Sequence, residues 1–394
     1  MYKKYYRHFL SHCPNLLHFA CHSHHFWPDV SRAAHLRYWD DSARLADEKW
    51  ELIFSEQIPK AQRYIAQQLK ISHPEQIVFA SNTHELIFRL FSCLPFIEGH
   101  KTRILTSDSE FYSARRQLLR LQELNPVEVA MIDSEPFYSF SDRFCRQLEK
   151  QNYHLVFLSR VFFNSGVHVP DWEKVLDAAY ANGAIVAIDD YHGFFAIPID
   201  LSAYQDKVYY LAGNYKYAQG GEGACFLYSP PNSRLRPVYT GWFADFAGLE
   251  KLPQRHVDYD DTGLRFAGAT MDCTAIYRFN AVADWLKQIN LDVAAIHAYV
   301  QQLQRVFIGQ MERYNHPLIN MGNLIHHNLR QHGHFFAFSM DSQQQAQNLR
   351  KGLRKQQVMT DARDNRLRFG FALYQDQADI EELFMRLANV KLPP

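Results

Sequence analysis

The chain has no excess of either charge. Its 394 residues carry 42 Lys plus Arg and 42 Asp plus Glu, a formal net charge of zero. No global field therefore draws it to nucleic acid or to anionic lipid. Long apolar runs are missing as well. The longest aliphatic stretches are about five residues, such as AIVAI at 184–188, against the ~20 that span a bilayer. The opening MYKKYYRHFLSHC lacks the apolar core of a secretory signal. Cysteines are few, at 13, 21, 93, 145, 225 and 273, and form no C-x-x-C pair. That spacing argues against zinc ribbons and disulfide frameworks, and makes free thiols in a reducing cytoplasm the expectation. There is no GxxxxGK[ST] run, hence no Walker loop, and no repeat, low-complexity tract or long linker. Apolar side chains are plentiful instead. They make up 47% of the chain against 21% charged, with 29 Phe, 22 Tyr and 6 Trp, the composition of a globular protein with a large core.

Strand and helix signals alternate for about 150 residues. Apolar residues recur at helical spacing from Ser55 to Leu69. QIVFA (76–80) reads as a strand, followed by the turn Ser81-Asn82-Thr83 and the helix HELIFRLFSCL. RILTSD (103–108), VEVAMID (127–133), HLVFLSRV (154–161), AIVAIDD, KVYYLAGN and GACFLYS read as further strands. The helix DWEKVLDAAYANG (171–183) has Asp at its start and Gly at its end, both preferred boundary residues. Several strands are apolar on both faces, which predicts an α/β fold, a mostly parallel sheet flanked by helices. Ligands of such sheets bind beyond the carboxyl ends of the strands. After about residue 280 the pattern changes. One long helix (roughly 275–314) precedes HFFAFSM, a helix QQQAQNLRKGLRKQ, the strand NRLRFGFALY and a final helix QADIEELFMRLANV, a smaller α+β C-terminal unit. The expected division is an N-terminal arm at 1–45, rich in His and aromatics and lining the active site, a large domain at 46–275 and a small domain at 276–394.

Three polar features fall at strand ends. Asp189 and His192 follow the buried run AIVAI. A carboxylate there is unfavourable unless paired, so it either caps the next element or faces a cationic ligand atom. Lys216 lies in GNYKYAQGGEG, between two apolar strands, with glycines at 213, 220, 221 and 223 that permit close backbone approach. An isolated Lys in such a turn is ordinarily a surface residue. Ser81-Asn82-Thr83-His84 opens a helix. It either caps that helix or presents its free N–H groups to a phosphate.

Taken in order, a helix start, a strand-end Asp and a Lys 27 residues later resemble the class V aminotransferase-like, fold-type-I enzymes that use pyridoxal 5'-phosphate (PLP). Within them the chain looks most similar to kynureninase. The motif is D-x-x-H followed by N-Y-K-Y-x-x-G-G-x-G, here Asp189, His192, Asn214-Tyr215-Lys216-Tyr217, Gly220, Gly221 and Gly223. A second match is the run D-A-R-D-N-R-L-R-F-G-F-A-L-Y at 361–374.

The resemblance implies roles. Lys216 forms the Schiff base with the cofactor aldehyde, which calls for a neutral amine. Asp189 keeps the pyridine nitrogen protonated, which makes the ring an electron sink. Thr83 grips the phosphate with the N–H groups near Asn82 and His84. Phe111 stacks on the ring, with Ser113 as its polar neighbour. Tyr215 and His192 stand on the phosphate side, and Tyr215 also takes part in proton transfer. Trp242 and Thr270 reach the cofactor from the partner subunit of a homodimer with a composite site. Arg368 binds the α-carboxylate of an amino-acid substrate through its planar fork, and Arg363 is a further candidate.

ACHSHHFWPDV at 20–30 carries three His in four positions, but no nearby Cys or carboxylate pattern completes a metal site. The resemblance places this segment at the substrate pocket, with His24 and His25 as substrate contacts and Trp27 as pocket wall or core. The chain departs from kynureninases at Arg160-Val161-Phe162-Phe163, at Thr270-Met271-Asp272 and at Cys21-His22-Ser23-His24, positions expected to face substrate. Hydrolysis of a Cβ–Cγ bond with release of alanine is the first functional expectation. Another class V transamination, epimerisation or lyase reaction on the same Lys site is the alternative. A desulfurase relay needs a reactive Cys in the last third, and no Cys follows Cys273.

Overall fold

The computed structural model describes residues 1–97, 99–124, 126–248 and 255–391. The chain opens with α1 (Arg7–His12), β1 (Leu17–His18), α2 (Val30–Leu45), α3 (Lys49–Leu52) and α4 (Ile58–Leu69). Alternation then sets in, as expected. It runs through β2 (Ile77–Ala80), α5 (Thr83–Phe91), β3 (Thr102–Ser107), α6 (Tyr112–Glu123), β4 (Val127–Ile132), α7 (Phe140–Lys150), β5 (Leu155–Ser159), α8 (Trp172–Ala181), β6 (Ile185–Asp189), β7 (Val208–Ala212) and β8 (Cys225–Tyr228). These strands form one sheet in the order β2-β8-β7-β6-β5-β3-β4. The pairs β3–β4, β3–β5, β5–β6 and β6–β7 are parallel, and only β8 runs against its two neighbours. Every residue of β2, β5, β7 and β8 is buried. Both faces are covered, which is why these strands read as unbroken apolar runs rather than alternating ones. Asp171 stands before α8 but its side chain makes no capping bond, so that expected cap is not formed, whereas Gly183 follows the helix with φ +81°.

The single helix expected at 275–314 is two, α9 (Thr274–Gln288) and α10 (Val293–Tyr314). Asn290 turns left-handed at φ +52°, and the Asp292 carboxylate accepts the Ala295 N–H at 2.8 Å to start a new helix. Both residue types favour those positions. The break also separates two cores. Ile276, Phe279 and Trp285 of α9 pack with the large sheet, so α9 shares the core of the first unit although the expected division placed it in the second. Val300, Phe307 and Met311 of α10 pack in the second core. That core is roofed by β9 (Phe335–Ser339), α11 (Gln343–Lys355), β10 (Val358–Met359), β11 (Asp361–Arg363), β12 (Arg366–Gly370) and α12 (Gln377–Ala388). β11, β12 and β9 form an antiparallel sheet in that order. Phe307 is its hub, with ring centroids 5.4–5.7 Å from Phe336, Phe369 and Phe371 and 4.9 Å from Phe384.

The N-terminal arm joins both units. β1 pairs in parallel with β10, and Phe19 is fully buried in the second core. Tyr6 packs edge-on against Trp285 of α9 and against Tyr374, and α2 lies on α9 with Tyr38 and Tyr277 ring to ring at 5.4 Å. Among the described residues no helix is long and apolar enough to cross a membrane.

Candidate active site

The topology brings five strand ends and one strand start to the same edge of the large sheet. Ser81–His84 follow β2, Phe111 and Ser113 follow β3, and Ser159 closes β5. Asp189 closes β6 and leads to Tyr191 and His192. β7 leads to Tyr215 and Lys216, and β8 begins at Cys225. All of these residues line one cavity of about 250 Å³. Of the expected site residues, Asn82, Thr83, His84, Phe111, Ser113, Asp189, His192, Tyr215 and Lys216 are therefore brought together. Strand alternation separates the two acids of the DD pair. Asp189 faces the cavity. Asp190 turns the other way, into a buried ion pair with Arg160 at 2.8 Å and a hydrogen bond from Tyr210 Oη at 2.7 Å. Arg160, expected to face substrate, is thus a structural counter-ion, while its neighbours Val161 and Phe163 do line the cavity.

Lys216 is 5% exposed. Burial, reinforced by the Arg368 charge, lowers the pKa of its amine against the pull of Asp189. Burial conversely raises Asp189, whose Oδ1 accepts the Tyr191 N–H at 3.0 Å. Lys216 is thereby brought down to about 7, where a large share of the amine is neutral. His192 Nε2 lies 2.9 Å from Lys216 Nζ. Burial and the Lys216 charge hold that imidazole well below its ordinary value, hence neutral. Its Nε2 accepts from an ammonium in one tautomer and donates to a free amine in the other. The rings of Tyr191, Phe111 and Tyr215 surround Nζ at 4.7, 5.6 and 5.7 Å. Two glycines make the packing possible. A Cβ at Gly213 would collide with the Tyr191 ring, and one at Gly221, where φ is +73°, would collide with Trp27.

The opposite wall is the start of α5. Asn82 caps it, accepting the Glu85 N–H at 3.0 Å. Capping satisfies one of the helix's free donors and leaves those of the first residues, Thr83 and His84, at the cavity wall. Thus the turn is a cap, one of the two readings that its sequence left open.

Arg368 on β12 is 3% exposed and does not itself line the Lys216 cavity; it stands behind Phe163, which does. Its guanidinium donates to the Phe163 carbonyl and lies over the Phe163 and Phe335 rings at 5.9 and 5.5 Å. Its other end is held by Asp361 at 2.9 Å. Burial pushes the Asp361 carboxyl up, but Arg368, with help from His22 and Arg363, outweighs it and holds the group at about 2. Arg363 also approaches Asp361, at 3.3 Å.

Other expected residues lie elsewhere. His25 is buried among Tyr6, Tyr217 and Tyr374, and its Nδ1 is 2.6 Å from the Phe26 carbonyl. Burial lowers it to about 4. It serves the core and lines no part of the Lys216 cavity. His24 is exposed, with its ring 5.4 Å from that of Tyr215, just outside the cavity wall. Trp242 is 46% exposed. Thr270 lines a second groove with Trp50, Tyr239 and Phe243, and this groove shares Ser81 with the Lys216 cavity. Within one chain neither Trp242 nor Thr270 lines the Lys216 cavity. Among the described residues no cluster of three or more His, Cys, Asp or Glu is placed to hold a metal ion.

The sequence reading missed Glu110. It is fully buried and accepts from Ser107 Oγ at 2.6 Å and from the backbone and hydroxyl of Ser159 at 3.0 and 2.6 Å. Burial, partly offset by those bonds, raises it to about 7. Its only sequence signal was its place between a strand end and Phe111. Tyr191 and Asp361 were also missed, although both sit inside the motifs that located Asp189 and Arg368.

The family model of aminotransferase class-V matches residues 46–383. The chain belongs to the class-V aminotransferase family. A probable cysteine desulfurase of Vibrio cholerae serotype O1 is 26% identical over 202 residues, 51% of this class-V chain and 48% of that protein. The match thus spans about half the length of that relative. Among solved structures, the cystine C–S lyase C-DES with its product cysteine persulfide superposes with a TM-score of 0.82 at 18% identity, covering 97% of this chain and 99% of that one. A variant of C-DES with glycine covalently linked to its PLP cofactor gives the same score at 18% identity, covering 98% and 99%. The cysteine desulfurase of Thermococcus onnurineus NA1 gives 0.79 at 15%, covering 98% and 97%. The fold is the fold-type-I architecture of these proteins. The family expectation holds, and its narrowing to kynureninase finds no support in these relatives. The class-V match begins after the arm, so His24 and His25 lie outside it.

Proposed function

We propose that this class-V chain is a PLP-dependent lyase that breaks the Cβ–S bond of a sulfur-bearing amino acid. The observation that carries the cofactor assignment is the buried Lys216 amine, its pKa lowered by burial, hydrogen-bonded to His192 in a cavity that also holds Asp189 and a capped helix start. The residues present fit the group. Thr83 and His84 at the start of α5 suit its phosphate, Asp189 its ring nitrogen, Phe111 a ring face, and Lys216 Nζ its aldehyde. His192 Nδ1 is buried with no hydrogen-bond partner in the protein, a polar atom that a bound group or water would satisfy.

When bound, PLP supplies an electron sink that acidifies the substrate Cα–H and labilises a β-substituent. The chain's own residues do the rest. Arg368 orients the α-carboxylate. Lys216 Nζ takes the Cα proton, and His192 Nε2 at 2.9 Å steadies Nζ and shares that proton. The Tyr191 N–H donates to the Asp189 carboxylate and partly offsets the upward push of burial, which leaves that group at about 6. The Cβ–S electron pair leaves with sulfur, and hydrolysis of the remainder gives a thiol, pyruvate and ammonium.

The cysteines favour elimination over a desulfurase relay. Cys225 touches the cavity, but burial raises its thiol to about 11, and its Sγ lies 3.4 Å from Tyr191 Oη. Cys21, Cys145 and Cys273 are buried, and Cys13 and Cys93 are half-buried. Burial raises the thiols of Cys21, Cys93, Cys145 and Cys273, and the nearby Arg265, Lys174 and Lys49 charges at Cys93, Cys145 and Cys273 do not offset it. All six are free, as in a reducing cytoplasm. The groove carrying Thr270, beside exposed Trp242, is where a second copy of the chain would complete the site as a homodimer.

Product analysis tests the reading. Purified protein should absorb near ~420 nm, lose that band with borohydride, and lack it in Lys216→Ala. Incubated with L-cysteine, L-cystine or S-alkyl cysteines, it should yield pyruvate. Alanine with sulfane sulfur would indicate a desulfurase instead, and alanine with anthranilate from kynurenine would restore the hydrolase.

A further inference from the structure

A second cavity, of about 430 Å³, lies beside the carboxylate-binding arginine and takes no part in the chemistry above. The arm forms one wall with Ala20, Ser23 and His24, and α11 and β11 form the others with Arg350, Arg354 and Arg363. Three guanidinium groups thus line one space. Asp361 is the sole carboxylate in that lining, and it is already engaged by Arg368 at 2.9 Å. Among the described residues, Arg350 and Arg354 have no carboxylate within ion-pair distance, and Arg350 bonds only the Gln347 amide oxygen, at 2.9 Å. α11 itself contains no acid. Thr360 Oγ1, in the same lining, is buried and has no hydrogen-bond partner among the described residues. A positively charged recess with unmet hydrogen-bonding capacity is a site for an anionic group, and guanidinium forks select oxyanions.

Its place makes the anion part of the substrate. Asp361 bridges Arg363, in this cavity, to Arg368, which donates to the carbonyl of Phe163, a residue lining the Lys216 cavity. His24 stands between the two spaces, lining the basic cavity while its ring sits 5.4 Å from Tyr215, which lines the other. We infer that the sulfur substituent of the substrate ends in a second acidic group, a carboxylate or similar oxyanion, received by Arg350, Arg354 and Arg363. This rests on the lyase reading above and adds the class of substrate.

A matched pair of probes isolates the charge: S-(2-carboxyethyl)-L-cysteine and S-propyl-L-cysteine. Each is titrated into PLP-loaded Lys216→Ala protein, followed by cofactor absorbance, and each is offered to the wild-type holoenzyme with pyruvate as readout. The charged probe should bind about tenfold more tightly, with a correspondingly lower KM, and rising NaCl should shrink the preference. Arg350→Gln/Arg354→Gln should bring the ratio close to one and leave the S-propyl values unmoved. Lys351→Gln/Lys355→Gln removes the same charge from exposed positions of the same helix outside the cavity lining, and should keep the preference. Equal affinity for the two probes in wild type, or a preference that survives loss of both arginines, overturns the subsite and leaves the lyase reading standing. Binding of neither probe overturns both. Inorganic phosphate that binds at micromolar concentration and does not compete with the charged probe would mark the recess as a free-anion site, and would overturn its assignment to substrate.

Discussion

Asp361→Asn tests whether the buried Arg368 guanidinium is held by a buried counter-charge. The carboxyl shifts from an ordinary 3.8 to about 2 on folding. By linkage that difference stabilises the fold by about 2.5 kcal/mol at pH 7. Because the folded value is the lower one, the stabilisation is complete above the unfolded value and disappears as pH falls through the folded value. At pH 3 about half of it, ~1.3 kcal/mol, remains. Removing one partner of a buried pair typically costs about 3–5 kcal/mol, since the other charge is stranded. Asn retains an acceptor oxygen for Arg368, which places the expected loss near ~3 kcal/mol. Urea unfolding of wild type and variant in parallel at pH 7, 5, 4 and 3 gives the measurement. The two should differ most at pH 7 and converge as acid protonates Asp361 in the wild type. Equal midpoints at pH 7, or a difference that stays constant down to pH 3, would refute the argument that this ion pair is buried and stabilising.

Phe307→Ala should destabilise the small unit by about 3–5 kcal/mol, measured by the same titration, because five aromatic neighbours would line the resulting void. Cys13→Ser/Cys93→Ser should leave turnover within twofold, read as pyruvate release. A loss above tenfold would point to a thiol relay. His192→Ala should retain the cofactor band but slow exchange of the substrate Cα proton into D2O by about 10²-fold, the usual scale for one acid–base partner. An unchanged exchange rate would remove His192 from proton handling.

The large sheet was legible because its strands are buried on both faces, which leaves short apolar runs punctuated by turn residues. AIVAIDD and KVYYLAGN could hardly be anything else, and the residues that follow them carry the site. The helix break at Asn290 was less legible, since apolar spacing resumes within a few residues and only the Asn and Asp caps mark it. Which acid of a DD pair faces a ligand depends on strand alternation, and this was recoverable once β6 was placed. His25 misled because adjacent histidines on an irregular arm have no periodicity to assign a face, and its neighbours Tyr6 and Tyr374 are remote in sequence. Glu110 eluded notice for a related reason. A buried acid with only serine donors looks, in sequence, like any loop carboxylate. Of the positions where this chain departs from the pattern it resembled, only Val161 and Phe163 line the Lys216 cavity.

β1 is only two residues long, yet its partner β10 follows it by about 340 positions. During synthesis at about 5–20 residues per second, the arm would wait roughly 17–70 s before its docking strand had even been made. The edge of the sheet that carries Lys216 can form early, but the strand that the joining arm pairs with is made late, so β1 spends that interval without its partner.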